Sequence, residues 1–149
     1  MSYDSPDFRV QMTYGPIFGS FSQIIVTEGS SEARTSEDSR DRVEFFRNVK
    51  LLDFKVLPLA GLNAGRAIAG VTQKIQLMVG SDVVGSATLL GSDDDGNMVN
   101  GSIGTGTLAE VSSNEELSLR HAIVDASGTA GTFVAGKVEA YVLYEHRFA

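Results

Sequence analysis

The chain has 149 residues, 42% of them hydrophobic and 21% charged, which suits one folded domain with a real core and argues against a disordered chain. It has no cysteine, which excludes disulfides and thiolate metal sites. The formal net charge of −7 disfavours nonspecific binding to the phosphates of nucleic acid.

The start of the chain does not look like a targeting segment. Residues 1–7 are short, polar and acidic, unlike a signal peptide. The apolar runs are all too short to span a bilayer. We therefore expect a soluble protein made in a cytoplasm, with neither nucleic acid nor a membrane as a partner.

The first third of the chain predicts an arm followed by strands. Residues 1–8 are expected to form an extended N-terminal arm, and residues 9–149 a single β-sandwich domain. A clean alternation over residues 8–14 predicts a strand, which Gly15-Pro16 should end because proline cannot donate to a ladder. A second strand is expected over residues 21–27.

Two segments in the middle leave alternatives open. Residues 29–42 are polar and of mixed charge, which favours either a long exposed loop or a short surface helix. Residues 43–59 are the longest apolar-rich stretch, and some of their apolar positions would also fit a helical stripe. Alternation and β-forming residues favour a strand over residues 49–57.

A hairpin is predicted next. Residues 71–79 alternate and residues 83–90 return, with Gly80-Ser81-Asp82 between them supplying the positive φ angles of a tight turn. An irregular strand weakened by two glycines is expected over residues 102–108, and a regular strand over residues 115–124.

The C-terminal strand alternates most clearly. The residues expected to face the core are Val138, Ala140, Val142 and Tyr144. Those expected to face solvent or a neighbouring subunit are Lys137, Glu139 and Tyr141. About seven to nine short strands separated by turn residues predict an all-β fold, a jelly-roll-like antiparallel β-sandwich with an extended N-terminal arm.

Two segments superficially suggest ligand binding. The run at residues 92–97, with Asp93 to Asp95, offers oxygen ligands for calcium, but it lacks the spacing of an EF-hand loop. A solvated loop held by Asx turns is favoured. The glycine-rich residues 101–107 resemble a phosphate cradle, yet no long helix follows them, so a sheet edge or bulge is favoured.

The sequence does not favour an enzyme. His121 and His146 are the only histidines. Their spacing in the sequence identifies no catalytic or metal-binding partner for either one, so ordinary surface or interface positions are favoured. No Gly-x-Ser-x-Gly elbow is present. We expect no catalytic residue, cofactor or metal. A jelly-roll enzyme such as a cupin is a third alternative, but it would normally need a histidine-rich metal set.

The segment GTFVAGKVEAYVLY at residues 131–144 resembles the C-terminal strand of capsid decoration (cement) and head-fibre proteins of tailed bacteriophages. The segments IQLMVGS at residues 75–81 and ATLLG at residues 87–91 are similar to the middle hairpin of the same proteins. In the arrangement of its strands, the resemblance covers about residues 43–146. It implies a jelly-roll-like structural protein, often a homotrimer, on the outer capsid surface of a virion. Such a protein clamps joints between major capsid proteins.

That resemblance makes protein surfaces the expected partners. Tyrosine, phenylalanine and arginine are favoured interface anchors. The candidate interface residues are Tyr3, Phe8, Tyr141, Arg147 and Phe148. The arm is expected to dock by adding a strand to a neighbouring sheet. The alternative is a receptor- or carbohydrate-binding fibre-tip module, against which the absence of tryptophan counts.

Overall fold

Antiparallel β-strands make up most of the chain that this computed structural model describes, namely residues 11–21, 24–26, 35–38, 42–59, 72–89, 97–124, 131–133 and 136–147. The strands are β1 Gln11–Phe21, β2 Ile24–Val26, β3 Thr35–Asp38, β4 Val43–Glu44, β5 Val49–Pro58, β6 Thr72–Val79, β7 Asp82–Leu89, β8 Val99–Asn100, β9 Ser102–Ile103, β10 Glu110–Val111, β11 Glu116–Val124, β12 Gly131–Phe133 and β13 Gly136–His146. A single 3₁₀ turn, Gly106–Ala109, occurs within these residues. None of the described segments is a helix of the length and apolarity needed to cross a membrane.

Two sheets carry the fold. The first has the order β1-β13-β5-β10, and β8 also pairs with β5. The second has the order β3-β11-β6-β7-β9, and β4 also pairs with β11. Strands β12 and β2 form a small separate pair. All of these pairings are antiparallel, as predicted for an all-β sandwich.

The main pairings are nested along the chain. Strand β1 pairs with β13, β3 with β11, β5 with β10, and β6 with β7. Such nesting describes one long antiparallel ribbon folded back at the β6–β7 turn. The ribbon is rolled up by two further pairings, of β13 with β5 and of β11 with β6. This arrangement is the topology of a jelly roll, so the predicted fold class is confirmed. The expected arm, residues 1–8, lies outside the described residues.

The core lies between the inner faces of the two sheets. The predicted inward residues of β13 are all buried: Val138, Ala140, Val142 and Tyr144. They pack in one cluster with residues of the opposite sheet, among them Ile75, Leu77, Leu117 and Leu119. Burying each large aliphatic side chain contributes about 1.5–3 kcal/mol relative to exposing it. The predicted outward residues of β13 are exposed or half-buried, so the two-faced pattern of this strand is confirmed.

The prediction that Gly15-Pro16 ends the first strand is wrong. Both residues lie within β1, which continues to Phe21. The register with β13 shifts between Tyr14 and Ile17, so the proline sits at an irregularity where a ladder hydrogen bond is already interrupted. Of the expected second strand, Phe21 belongs to β1, and Ile24–Val26 forms β2 among the described residues.

Part of the polar segment 29–42 is also a strand. Thr35–Asp38 pairs with β11, where Ser36 faces Ala122, so these residues form neither a loop nor a helix. Pairing with β11 supplies backbone hydrogen bonds that the polar side chains of this segment do not predict. The predicted β6–β7 hairpin is confirmed, with Gly80 at φ +59° in its turn.

Residues 99–111 form a strap that crosses between the sheets. Strand β8 pairs with β5, β9 with β7, and β10 with β5 again. At the crossing, Gly101 N donates to Phe54 O at 2.8 Å, and Gly104 N donates to Val84 O at 2.8 Å. The glycine-rich segment that superficially resembled a phosphate cradle therefore belongs to a strap that seals one edge of the roll.

Candidate interaction surface

The outer face of the first sheet carries a shallow groove. Tyr141 on β13 pairs with Lys55 on β5, and Leu143 pairs with Asp53. Because strand residues alternate faces, these side chains share the face opposite the core. Met98, which precedes β8, is 48% exposed and closes one side. The groove has a volume of about 290 Å³ and is lined by Asp53, Phe54, Lys55, Met98, Tyr141 and Leu143.

Tyr141 is held in place within this surface. Its hydroxyl donates a hydrogen bond of 2.9 Å to Glu139 Oε2. That hydrogen bond raises the pKa of the Tyr141 phenol above its usual 10.0, and desolvation and the Glu139 charge act in the same direction. The phenol is therefore neutral at physiological pH and orients the carboxylate at the margin of the groove. The structure thus places the predicted interface residue Tyr141 on an accessible, partly apolar surface.

Arg147 has an internal role in the fold. Its backbone N–H donates to Asn48 O at 2.9 Å, and its guanidinium lies 3.6 Å from Glu110 Oε2. These contacts fasten the end of the chain to the β4–β5 turn and to β10. An exposed ion pair of this kind contributes at most about 1 kcal/mol. Tyr141 and Arg147 are not brought together, since they lie about 20 Å apart along an extended chain. The candidates Tyr3, Phe8 and Phe148 lie outside the described residues.

Phe46 is a surface residue that the sequence analysis missed. It lies in the turn between β4 and β5 and is fully exposed. Its neighbour Phe45 is only 4% exposed and packs its ring against Tyr144, with ring centroids 4.7 Å apart and planes at 58°. Phe45 and Phe46 both lie outside the strands, so no strand alternation in the sequence indicates which of the two rings is buried.

The two histidines lie on different sheets of the described structure, His121 on β11 and His146 on β13. His121 is fully buried, with Nε2 2.7 Å from Gln73 Oε1, so its expected surface or interface position is wrong. His146 is half-buried and its ring meets Tyr144 edge-on, with centroids 5.8 Å apart. Among the described residues, no group of three histidine, cysteine, aspartate or glutamate side chains is placed to hold a metal ion. Asp93 to Asp95 lie outside those residues.

Comparisons with known proteins return little. The chain matches no protein-family profile and no curated protein. Among solved structures it is similar to the VP2 subviral particle of infectious bursal disease virus, with 9% sequence identity and a TM-score of 0.22. That similarity covers 96% of this chain and 43% of the viral chain, so this chain spans less than half of the VP2 length. The fold assignment rests on strand pairing within this chain and not on that likeness.

Proposed function

We propose that this chain is a structural protein of a virus particle, a decoration protein bound to the outside of a capsid. The observation that carries the proposal is the nested strand pairing of a jelly roll, an architecture used by viral capsid domains as well as by lectins and cupins. The resemblance of residues 131–144 and of the β6–β7 hairpin to phage decoration proteins favours the first of these uses. The role proposed is structural and not enzymatic.

The proposed role is to stabilise joints between major capsid proteins. A protein that binds only the assembled shell shifts the equilibrium toward that shell by mass action. Residues 1–8 precede β1 in the sequence, and among the described strands β1 pairs with β13 alone. A strand that has one open edge accepts a further strand, and an arm joined to it can extend to a neighbouring sheet. We assign docking on the major capsid protein to this arm.

Deletion of residues 1–7 tests this assignment. The truncated chain and the full chain are each added to capsids stripped of decoration protein, and occupancy is measured after sedimentation. The proposal predicts that the full chain saturates the shell and that the truncation binds at least about 30-fold more weakly. The control is Lys137→Ser, an exposed change on β13, which should bind like wild type. Equal binding of the truncated and full chains would contradict docking through the arm.

A second candidate is a receptor- or carbohydrate-binding module at a fibre tip. It is favoured by the ring of Tyr141 beside Asp53 and Lys55. Sugars stack on aromatic rings, and their hydroxyls donate hydrogen bonds to a carboxylate and accept them from an ammonium group. A glycan-binding screen of the full chain separates the two functions. Binding that is lost in Tyr141→Ala would support the fibre-tip module, whereas shell binding without glycan binding supports decoration.

A further inference from the structure

One turn of the molecule presents an aromatic side chain on a fixed backbone. Phe46 projects from the β4–β5 turn while Phe45 anchors that turn in the core against Tyr144. The next part of the turn is tied at Asn48, whose carbonyl accepts from Arg147 N at 2.9 Å and whose Oδ1 accepts from Ser113 N at 3.0 Å. The backbone at Phe46 is therefore already ordered, and insertion into a pocket would restrict mainly the Phe46 side chain.

The groove on the outer sheet face is large enough to take one side chain. Its volume of about 290 Å³ lies at the lower limit of pockets that take small-molecule ligands, about 300 Å³. Its apolar surface comes from Met98, Tyr141 and Leu143, all of which are at least partly accessible. A lone exposed phenylalanine is ordinary on a protein surface. An exposed phenylalanine and a partly apolar groove on the same chain are chemically complementary.

The charges around the two features are also complementary. Phe46 is flanked by exposed Arg47 and, on β4, by exposed Glu44. The groove is bordered by the carboxylate of Asp53 and the ammonium of Lys55. With a formal net charge of −7, two copies repel one another at long range, so a stable contact between them needs local pairing of opposite charges.

Phe46 cannot reach the groove of its own chain. The strand β5 begins at Val49 and runs in extended form to Asp53, which places the near end of the groove about 13 Å beyond the turn. A second copy is therefore required. A contact between two different patches on identical chains is head-to-tail, and it closes into a ring when the rotation between copies permits.

We propose that Phe46 of one copy inserts into the groove formed by Met98, Tyr141 and Leu143 of a second copy, and that this contact assembles the protein into a closed ring. Arg47 of the first copy pairs with Asp53 of the second, and Glu44 pairs with Lys55. This inference does not depend on attachment to a capsid, because it concerns the isolated protein.

Light scattering coupled to size-exclusion chromatography of the full chain tests the proposal. The wild type should elute at a multiple of its 15.9 kDa mass. Phe46→Ser and Met98→Glu change exposed side chains and should each weaken self-association at least about 30-fold. Val83→Ser is the matched control, because Val83 is 41% exposed on β7 of the other sheet, and it should leave the mass unchanged.

A mixing experiment identifies the two halves of the contact. Phe46→Ser retains an intact groove and Met98→Glu retains an intact Phe46, so an equimolar mixture should form a two-copy species that neither variant forms alone. Circular dichroism verifies that both variants are folded. The proposal is overturned by a wild type that is monomeric at about 100 μM, by Phe46→Ser with the wild-type mass, or by a mixture that stays monomeric.

Discussion

Gly101 N donates a 2.8 Å hydrogen bond to Phe54 O, in a space where a Cβ on Gly101 would lie only 2.6 Å from Phe54 Cδ1. The same Cβ would lie 3.0 Å from Ser86 O, on the opposite sheet. The strap, residues 99–111, thus passes between backbone and side-chain atoms of both sheets. A residue larger than glycine at position 101 must push these atoms apart.

Gly101→Ala should therefore lower the free energy of unfolding by about 2–3 kcal/mol, as expected for overpacking. The matched variant is Gly106→Ala, since Gly106 has φ +64° and nothing within 4 Å of an added Cβ. It should cost only the left-handed backbone strain, about 1–2 kcal/mol. Urea unfolding of both variants measures the difference. A Gly101→Ala protein as stable as wild type would show that the strap is not tightly packed.

The buried pair of His121 and Gln73 predicts a non-additive effect. His121→Leu removes the 2.7 Å hydrogen bond and leaves the Gln73 amide buried without that partner, so it should cost about 1–3 kcal/mol. The double variant with Gln73→Leu replaces both polar groups and should be more stable than the single variant. A thermodynamic cycle from urea unfolding measures the coupling. Strict additivity would mean that the hydrogen bond contributes nothing.

The hydrogen bond from Tyr141 to Glu139 predicts a pH effect. The pKa of Tyr141 is raised above its usual 10.0, so the neutral phenol is favoured in the folded state. The resulting stabilisation is present below the ordinary tyrosine pKa and is lost as pH rises through the raised pKa. Glu139→Gln should lower the pKa of Tyr141 toward its usual value.

Phenolate absorbance during an alkaline titration measures this pKa. The chain has four tyrosines, and Tyr141→Phe identifies the contribution of Tyr141 by difference. An unchanged titration curve in Glu139→Gln would contradict the hydrogen bond as the cause of the raised pKa.

The two faces of β13 predict opposite sensitivities at adjacent positions. Val142 is fully buried in the core, so Val142→Ala should cost about 2 kcal/mol from lost burial and the cavity left behind. Leu143 is half-buried on the outer face, and Leu143→Ala should cost less, about 0.5–1 kcal/mol. Thermal unfolding compares the two variants. A larger loss at Leu143 would contradict the assignment of inner and outer faces.

The strand content was predictable where residues alternate along their own strand. The alternation of Val138, Ala140 and Val142 is a local property of one half-buried strand, and it gave both faces of β13 correctly. The β6–β7 hairpin was predictable for the same reason, because Gly80 marks a turn that needs a positive φ.

The features that were missed depend on distant partners. Strand β3 forms from polar residues because β11 offers it backbone hydrogen bonds, and no periodicity within residues 35–38 signals that partner. His121 is buried because Gln73, far away in sequence, accepts its hydrogen bond. Gly15-Pro16 continues a strand because a register shift in pairing with β13 absorbs the proline. Composition near each of these residues carries none of this information.

The candidate surface was predictable only in part. Tyr141 was identified from its place on the outward face of β13, whereas the groove also needs Met98, which comes just before the strap and its pairing with β5. Phe46 was missed because its exposure depends on Phe45 taking the inward position against Tyr144. A surface built from three separated segments cannot be recognised from any one of them.

The most direct test of the proposed function is electron cryomicroscopy of virus particles purified from the cells that make this chain. The account predicts density for the jelly roll on the outer surface of a capsid, seated over joints between major capsid proteins. Finding the chain at the tip of a fibre, inside the shell, or absent from purified particles would contradict it.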